Sequence, residues 1–371
     1  MTDVRPENQR LYSRQIAFVA AFLLPASKLL EAPSLLATYA AGDILLPAFA
    51  HFLLQSALLA LLLFALTKST KPLIVRLQNC LGKFFPVVYA LYGLFFLFYA
   101  LLPLLDMEKF VYAAFFDTAP TFFSFIFFFI FSAFLCVKGL KTIGRYADLS
   151  LFLFLIPFLS LLTMSFVETD FSHLLPLFGT KLGDTMSAFT RSTPHFSDVV
   201  LLIPLLLFYQ PQQEGEGKKI LYGYWAGAGL TLLFLSIFFG VYSSIAPREH
   251  YAFSKIAQYF PALDVLGRVD LLFVYLLFIT LLFYTCLPLL YVTDSATALF
   301  HSKNKPIFSL LINFALFLFV FFCNKYYNGF YQVISGRLPW VFWLFADALP
   351  LLLLLLPAET TQPKTMLKRR L

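Results

Sequence analysis

Long apolar runs alternate along the chain with short stretches that carry charges, prolines or glycines. Each run is about the 20 residues that an α-helix needs to cross a bilayer. A lipid-exposed backbone must form its hydrogen bonds within the segment, and the runs are too long for barrel strands, so the pattern predicts transmembrane helices. Ten are predicted: Ser13–Tyr39, Asp43–Thr67, Phe84–Leu105, Thr121–Val137, Asp148–Val167, Asp184–Gln210, Tyr222–Ile245, Val269–Thr293, Pro306–Cys323 and Pro339–Leu356.

The composition indicates that lipid is the main solvent. Of the 371 residues, 60% are hydrophobic and 13% are charged, whereas about 25% are charged in an ordinary globular domain. A soluble fold of this size could not bury so many apolar side chains. We therefore predict a single transporter-like transmembrane domain over residues 1–371, with a cytoplasmic tail at residues 358–371.

The distribution of basic residues predicts the orientation. Ten spans place most of the 27 Lys and Arg residues on the same side as the N-terminus. The positive-inside rule then predicts a multi-pass protein of the cell membrane with both termini in the cytoplasm. This topology also explains the formal net charge of +7, so we predict contact with membrane lipid and no nucleic-acid partner.

The sequence lacks the common motifs of enzyme chemistry. HExxH, GxSxG and the phosphate-binding GxxxxGK[ST] are absent. The four cysteines are scattered without CxxC spacing, as is typical of packing residues. We predict no enzymatic activity, no cofactor and no metal site.

Two predicted spans contain polar residues and prolines where hydrocarbon is expected. In the first span residues 25–33 read PASKLLEAP, and in the sixth residues 190–198 read TRSTPHFSD. Interrupted spans at corresponding positions of two halves are a pointer to the binding site of inverted-repeat transporters. The first and sixth spans correspond in a five-plus-five repeat, with repeats predicted at about residues 13–167 and 184–357.

The first break carries two charges. Lys28 and Glu31 are three residues apart, which on a helix puts them on one face within reach of each other. A charge inside the membrane usually faces a cavity or a partner. We predict that Lys28 supplies a fixed positive charge where related transporters use a sodium ion or a proton. The alternatives are a self-neutralised pair that only locks the helix, or a lysine that snorkels.

Uncharged groups complete the first candidate site. Pro25 frees a backbone carbonyl and Ser27 adds a hydroxyl beside it. Together with Ala26, Lys28 and Glu31 they are candidate ligand-binding residues. The alternative is an ordinary proline kink.

The second break offers a matching set. Its candidate ligand-binding residues are Thr193, Pro194, His195 and Ser197. Asp198 or Arg191 could form a gate near the outer side. The alternative places Arg191 and His195 in an outer loop, with the sixth helix starting at Asp198.

Two further polar groups lie deep in predicted spans. His51, in the second span, is interpreted as a packing histidine with its hydrogen bonds satisfied. Asp347 stands in WLFADALPLL with no local partner. We predict that Asp347, with Lys28, serves proton or ion coupling.

Three short segments are informative together. Residues 12–15 read YSRQ, residues 138–148 read KGLKTIGRYAD, and residues 173–176 read HLLP. In these segments the chain resembles the endospore germination permeases, the B subunits of nutrient germinant receptors, in the amino acid/polyamine/organocation transporter superfamily. The segments are similar to the family's S-x-x-Q opening, its G-x-x-x-I-x-R-x-A segment and its N-L-L-P element. Their order and spacing carry the resemblance over essentially the whole chain.

The resemblance implies an all-α, leucine-transporter-like fold with ten transmembrane helices, a five-plus-five inverted repeat, and broken helices 1 and 6. It implies a permease-like subunit that binds a small nutrient such as an amino acid at the membrane midplane and triggers germination. A and C receptor subunits would be its partners, in the spore inner membrane if the host forms spores. The alternatives are a stand-alone proton-coupled amino-acid transporter and a non-binding scaffold subunit.

The chain departs from the family pattern at the first break. Where the superfamily often has a glycine-rich break that seats the ligand carboxylate, residues 25–28 read PASK. Lys28 could therefore take over part of the carboxylate recognition.

Overall fold

The computed structural model describes residues 11–68, 71–115, 121–211, 215–258, 270–302, 304–323 and 326–356, with the backbone alone at 111–115, 121–125 and 270–281 and at residues 102, 258, 327, 328 and 335. These ranges are helical and contain no strand, which confirms the all-α prediction for this part of the chain. We number the helices α1 (Ser13–Ala26), α2 (Ala32–Ala40), α3 (Leu45–Thr67), α4 (Leu73–Leu81), α5 (Phe85–Phe115), α6 (Thr121–Lys138), α7 (Leu140–Val167), α8 (Leu182–Phe196), α9 (Val199–Leu206), α10 (Glu216–Tyr242), α11 (Ala252–Gln258), α12 (Asp270–Leu299), α13 (Lys305–Cys323), α14 (Tyr327–Arg337) and α15 (Pro339–Leu355).

Among the described residues whose side chains are placed, five helical segments are long and apolar enough to cross a membrane. They are Leu45–Thr67, Leu73–Phe110, Leu140–Val167, Glu216–Arg248 and Lys305–Cys323. Every predicted span coincides with a helix or a helix pair. The chain is thus built as a membrane protein, while ten crossings, the inverted repeat and the orientation of the termini stay predictions.

The helices are apolar on both faces. In α7, Phe154 and Phe158 are buried, whereas Phe152 and Ile156, on the opposite side, are 58% and 68% exposed. Helices that are hydrophobic all round suit a core on one side and lipid on the other. The α7 helix also begins at Leu140, two turns before its predicted apolar start, because the polar residues before Asp148 continue the helix.

Helix α1 lies in the interior, and two glycines of α10 let it approach closely. A Cβ on Gly223 would lie 2.4 Å from the carbonyl oxygen of Ala17, and one on Gly227 would lie 2.9 Å from that of Ala20. Small residues allow such backbone contact between helices in membranes. The α1–α10 contact therefore holds the first break in the centre of the molecule.

Both spans that the sequence predicts to be broken are interrupted. Helix α1 ends at Ala26, residues 27–31 form turns, and α2 begins at Ala32. Helix α8 ends at Phe196 and α9 begins at Val199, so the sixth span is interrupted at residues 197–198. Pro194 lies inside α8. Arg191 and His195 both lie in this helix, and their placement within the membrane stays a prediction.

Candidate functional site

A buried ion pair joins the two helix breaks. The Lys28 ammonium lies 2.6 Å from both carboxylate oxygens of Asp198, and neither side chain has exposed surface. Lys28 Nζ also donates to Ser27 Oγ at 2.8 Å and to the Leu24 carbonyl at 3.1 Å. All three ammonium protons can thus be used within the protein. Of the predicted residues, Lys28 and Ser27 therefore meet the second break directly.

Aromatic rings shield this pair. The Lys28 ammonium lies 4.9 Å from the ring centroid of Phe196 and 5.9 Å from that of Phe52. Such contacts stabilise a desolvated cation. Because ion pairs in a dry environment lose their hydration, removing one partner costs about 3–5 kcal/mol, whereas apolar replacement of both is often neutral. A purely structural link between the two helices would thus need no desolvated charges, so the presence of the pair indicates a function for its charges.

Glu31 does not pair with Lys28, so the alternative of a self-neutralised pair within the first break is wrong. Its carboxylate Oε2 lies 2.8 Å from Nδ1 of His250. That alternative assumed a continuous helix, but residues 27–31 are turns and bends, so a spacing of three residues does not bring the two side chains together. The hydrogen bond to Glu31 raises the pKa of His250, and this outweighs the opposing effect of partial burial.

The backbone of the first break is covered by the segment that contains His250. The amide of Ala252 donates to the Leu30 carbonyl at 3.2 Å, and that of Phe253 donates to the Leu29 carbonyl at 2.9 Å. A broken helix leaves carbonyls without partners, and α11 supplies two of the missing donors. By the predicted topology this cover lies on the outer side of the site.

A small cavity lies beside the ion pair. Residues of both breaks line it, together with tyrosines and an acidic residue: Ala26, Ser27, Leu30, Tyr99, Pro103, Asp106, Pro194, His195 and Tyr284. The volume open to the centre of a water-sized sphere is about 10 Å³, which is enough for one water. The predicted residues Ala26, Ser27, Pro194 and His195 thus face one space, in a closed arrangement.

Hydrogen bonds hold one wall of this cavity. The hydroxyls of Tyr99 and Tyr284 are 2.6 Å apart, and Tyr99 donates to the Ser197 carbonyl at 3.2 Å. His195 is 4% exposed, and its Nε2 has no hydrogen-bond partner among the described residues. An imidazole nitrogen beside the cavity is therefore available to a ligand.

The hydroxyls of Thr193 and Ser197 donate hydrogen bonds to backbone carbonyls one turn earlier in the chain. Thr193 Oγ1 donates to the Phe189 carbonyl at 3.2 Å, and Ser197 Oγ donates to the Thr193 carbonyl at 2.8 Å. Pro25 is buried in the last turn of α1. These three predicted residues shape the breaks but do not line the cavity.

The Nε2 atom of His51 has hydrogen-bond partners, which fits the interpretation of this residue as a packing histidine. Its Nε2 lies 2.8 Å from the Phe189 carbonyl and 3.1 Å from Ser192 Oγ. The ring stacks on Phe189 and Phe196, with centroid distances of 4.0 and 4.9 Å. His51 therefore packs α3 against α8.

Asp347 is connected to the second break through Gln55. Its Oδ1 accepts a hydrogen bond from Gln55 Nε2 at 2.5 Å, and Gln55 Oε1 accepts one from the amide of Val199 at 3.3 Å. Asp347 is 9% exposed, and its Oδ2 has no partner among the described residues. It stands in a π-helical turn, Trp343–Ala348, a feature that frequently marks functional sites.

Sequence reasoning missed several members of this site. Asp198 was expected as an outer gate, but it is the buried partner of Lys28. The other gate candidate, Arg191, is exposed and lies 4.9 Å from the ring centroid of Tyr39. Gln55 could have been found as the only amide in α3. No sequence signal separates Tyr99 and Tyr284 from the other aromatic residues.

Two of the segments that carry the family resemblance contact each other at one end of α1. Gln15 Nε2 donates to Asp148 Oδ2 at 3.1 Å, and Arg14 lies 3.2 Å from Asp148 Oδ1. A Cβ on Gly144 would lie 2.7 Å from Gln15 Oε1. In the third segment, His173 Nδ1 lies 3.1 Å from the Gly240 carbonyl. The first two segments thus close α1 onto α7 at the predicted cytoplasmic side.

Within the described residues no group of three His, Cys, Asp or Glu side chains is placed to hold a metal ion. The arrangement instead offers a fixed cation, a fixed anion, an imidazole and the hydroxyls of Ser27, Tyr99 and Tyr284 at the junction of two broken helices. Such groups can bind a small polar molecule that carries charge.

Comparison with known proteins supports the resemblance. A search of curated proteins finds no match, but the family model described as spore germination protein (Spore_permease) matches residues 43–329. The match starts after the first break, so Lys28 lies outside it, whereas Asp198 and Gln55 lie inside. As it covers more than half of the sequence, the chain belongs to the spore germination protein family.

Proposed function

We propose that the protein is the permease-like subunit of a spore nutrient germinant receptor. It binds a small nutrient such as an amino acid between its two broken helices and thereby triggers germination. The observation that carries this proposal is the buried Lys28–Asp198 pair, which connects the breaks directly. The family membership supplies the germination context.

The ion pair suggests how a ligand would act. With only about 10 Å³ of free volume beside it, the site must open before a nutrient enters. A zwitterion can replace each partner, with its carboxylate at Lys28 and its ammonium at Asp198, so neither charge is left unpaired. Lys28 would then combine the fixed-charge role with carboxylate recognition. The shift between closed and open states is limited by the ligand's differential affinity for them.

Partners and location are part of the same proposal. The subunit would act with A and C receptor subunits in the cell membrane, which is the spore inner membrane if the host forms spores. It would pass through the membrane ten times and keep both termini in the cytoplasm. The contact of Arg14 and Gln15 with Asp148 would lie on the cytoplasmic side, where closure of α1 onto α7 can respond to the ligand.

Thermal unfolding of the purified chain in lipid nanodiscs tests ligand binding. A ligand that binds only the folded state stabilises it by mass action, by about 2.7 kcal/mol at 100 times its Kd. The twenty amino acids are tested singly, followed by sugars and nucleosides, without and with the partner subunits. We expect stabilisation by at least one amino acid. No stabilisation under any of these conditions would refute the proposal.

A stand-alone proton-coupled transporter is the second candidate, favoured by Asp347. A largely buried carboxylate with one unpartnered oxygen, connected through Gln55 to the helix of the second break, is suited to carry a proton. Flux of labelled amino acids into liposomes, with and without a pH gradient, separates the two functions. Flux that follows the gradient and is lost in Asp347→Asn favours transport, and binding without flux favours the receptor.

A non-binding scaffold subunit is the third candidate, favoured by the small cavity. If the Lys28–Asp198 pair only locks the breaks, apolar replacement of both residues leaves the response to nutrients in the assembled receptor unchanged. Loss of that response in a stable double variant favours the ligand-binding subunit.

A further inference from the structure

A groove on the lipid-facing side of the molecule lies between α6 and α13, away from the helix breaks. Its cavity volume is about 460 Å³, and Phe129, Phe134, Phe314 and Phe317 are among its walls. The two helices are joined across it by Ser309 Oγ, which donates to the Ala133 carbonyl at 2.9 Å. The groove is therefore a feature of two connected helices.

The groove is open to the side rather than to the interior. Leu310 and Phe314 on α13 and Ile130 on α6 line it and are 64%, 54% and 57% exposed. Both helices are predicted spans, and Lys305–Cys323 is apolar enough to cross a membrane. An occupant would thus enter from the hydrocarbon of the bilayer.

One end of the groove carries a positive charge. Lys138, the last residue of α6, lines it next to Pro306 at the start of α13. The Lys138 ammonium lies 5.4 Å from the ring centroid of Phe134. Among the described residues, no carboxylate forms an ion pair with Lys138, whereas nearby Lys305 pairs with Asp294 at 2.6 Å.

Further cations follow beyond the groove. Lys141 and Arg145, near the start of α7, are exposed. The positive-inside rule places this end of α6 in the cytoplasm. The cytoplasmic leaflet carries the anionic lipids, and basic pockets between transmembrane helices on that side bind anionic headgroups.

We propose that the groove between α6 and α13 binds one anionic phospholipid of the cytoplasmic leaflet, with an acyl chain between the phenylalanines and the phosphate at Lys138. Hydrocarbon matches the apolar walls, and an anionic headgroup complements the unpaired ammonium. A zwitterionic lipid brings a second, positive group toward a basic region. This site is independent of the proposed nutrient site.

Native mass spectrometry of the delipidated full-length chain tests this inference, with phosphatidylglycerol and phosphatidylcholine of equal chain length as probes. We expect one phosphatidylglycerol to bind more tightly than phosphatidylcholine. Lys138→Gln should reduce that preference about fivefold, because one cation near an anionic surface contributes about that factor. Lys219→Gln is the matched control, since Lys219 is an exposed cation in the first turn of α10.

A second variant pair tests the acyl-chain position. Leu310→Trp places bulk at the groove mouth and should weaken binding of both lipids. Leu311→Trp is the control, because Leu311 is 55% exposed on the same helix and does not line the groove. Because both positions are exposed, we expect both variants to fold.

Three results would overturn the lipid site. The first is equal affinity of the wild type for the two lipids. The second is an equal effect of Lys138→Gln and Lys219→Gln. The third is a dimer that Leu310→Trp disrupts, which would identify a second copy of the chain as the occupant.

Discussion

The first helix break carries two ionic contacts that differ in their surroundings. Lys28 and Asp198 are completely buried, whereas the His250 side chain of the Glu31–His250 pair is 61% exposed. Lys28 and Glu31 are three residues apart, yet one contact joins the two breaks and the other joins the break to an outer segment. Burial therefore makes the Lys28–Asp198 contact a strong structural constraint, whereas the exposure of His250 lets the Glu31–His250 contact respond to pH.

The largest effect is expected from breaking the buried pair on one side only. Lys28→Met leaves the buried Asp198 carboxylate without its cation, and Asp198→Leu leaves the buried Lys28 ammonium without its anion. Loss of one partner of a buried pair costs about 3–5 kcal/mol, whereas apolar replacement of both is close to neutral. We therefore expect each single variant to be strongly destabilised and the Lys28→Met/Asp198→Leu double variant to be close to wild type.

Denaturant unfolding of the three variants measures this coupling as a double-mutant cycle. Additive losses in the double variant would mean that the two side chains act separately and would remove the buried pair as the link between the breaks.

The next largest effect is expected from the packing of α1, the helix that leads into the first break, against α10. In Gly223→Ala, the new Cβ would lie 2.4 Å from the Ala17 carbonyl oxygen, so α1 must move away from α10. Overpacking of this kind costs about 1–3 kcal/mol. Gly229→Ala is the control on the same helix, because no heavy atom outside its own stretch of helix lies within 4 Å of its Cβ position.

Thermal unfolding in nanodiscs checks the glycine pair. We expect a lower unfolding temperature for Gly223→Ala and an equal or higher one for Gly229→Ala, since alanine is the better helix former. Equal behaviour of the two variants would contradict the close approach of α1 and α10.

Variants of Gln55 test whether the buried Lys28–Asp198 pair is connected energetically to Asp347. Gln55→Leu removes a donor from Asp347 and an acceptor from the Val199 amide, next to Asp198. An unsatisfied buried group costs about 1–3 kcal/mol. Unfolding measurements on Gln55→Leu, with Gln55→Glu as a variant that keeps the acceptor at Val199, distinguish this role. If Gln55→Leu were as stable as the wild type, the hydrogen bonds of Gln55 would make no net contribution to the free energy of unfolding.

The smallest effect is expected at the exposed pair. The hydrogen bond to Glu31, opposed by partial burial, raises the pKa of His250 above 6.5 in the folded protein. The charged pair therefore adds stability that is complete below about pH 6.5 and is lost as the pH rises through the raised pKa. Because the histidine is largely exposed, the gain is below about 1 kcal/mol.

Unfolding temperatures of wild type and His250→Gln at pH 5.5 and pH 8.5 measure this contribution. We expect the wild type to be more stable than the variant at the lower pH only. A difference that is the same at both values would exclude the histidine charge as its cause.

The sequence predicts the helices and the first break because prolines and charged residues are easily recognised inside a long apolar run. It places Lys28 and His195 at the site for the same reason. The partner of Lys28 could not be predicted, because Asp198 lies in the second break, 170 residues further along the chain, and only packing brings it close. The alternative of a Lys28–Glu31 pair is wrong because helix spacing does not apply across the turns and bends at residues 27–31. The lipid-facing groove could not be predicted, because its phenylalanines resemble the others in an apolar run.

Binding of a nutrient at the buried pair is the central claim, and equilibrium binding of a radiolabelled amino acid tests it most directly. The probe is the amino acid that stabilises the wild-type protein, and the comparison is with the Lys28→Met/Asp198→Leu double variant after its folding has been verified. We predict at least a tenfold loss of affinity in the double variant and none in Lys219→Gln. Equal affinity of the wild type and the double variant would contradict the account.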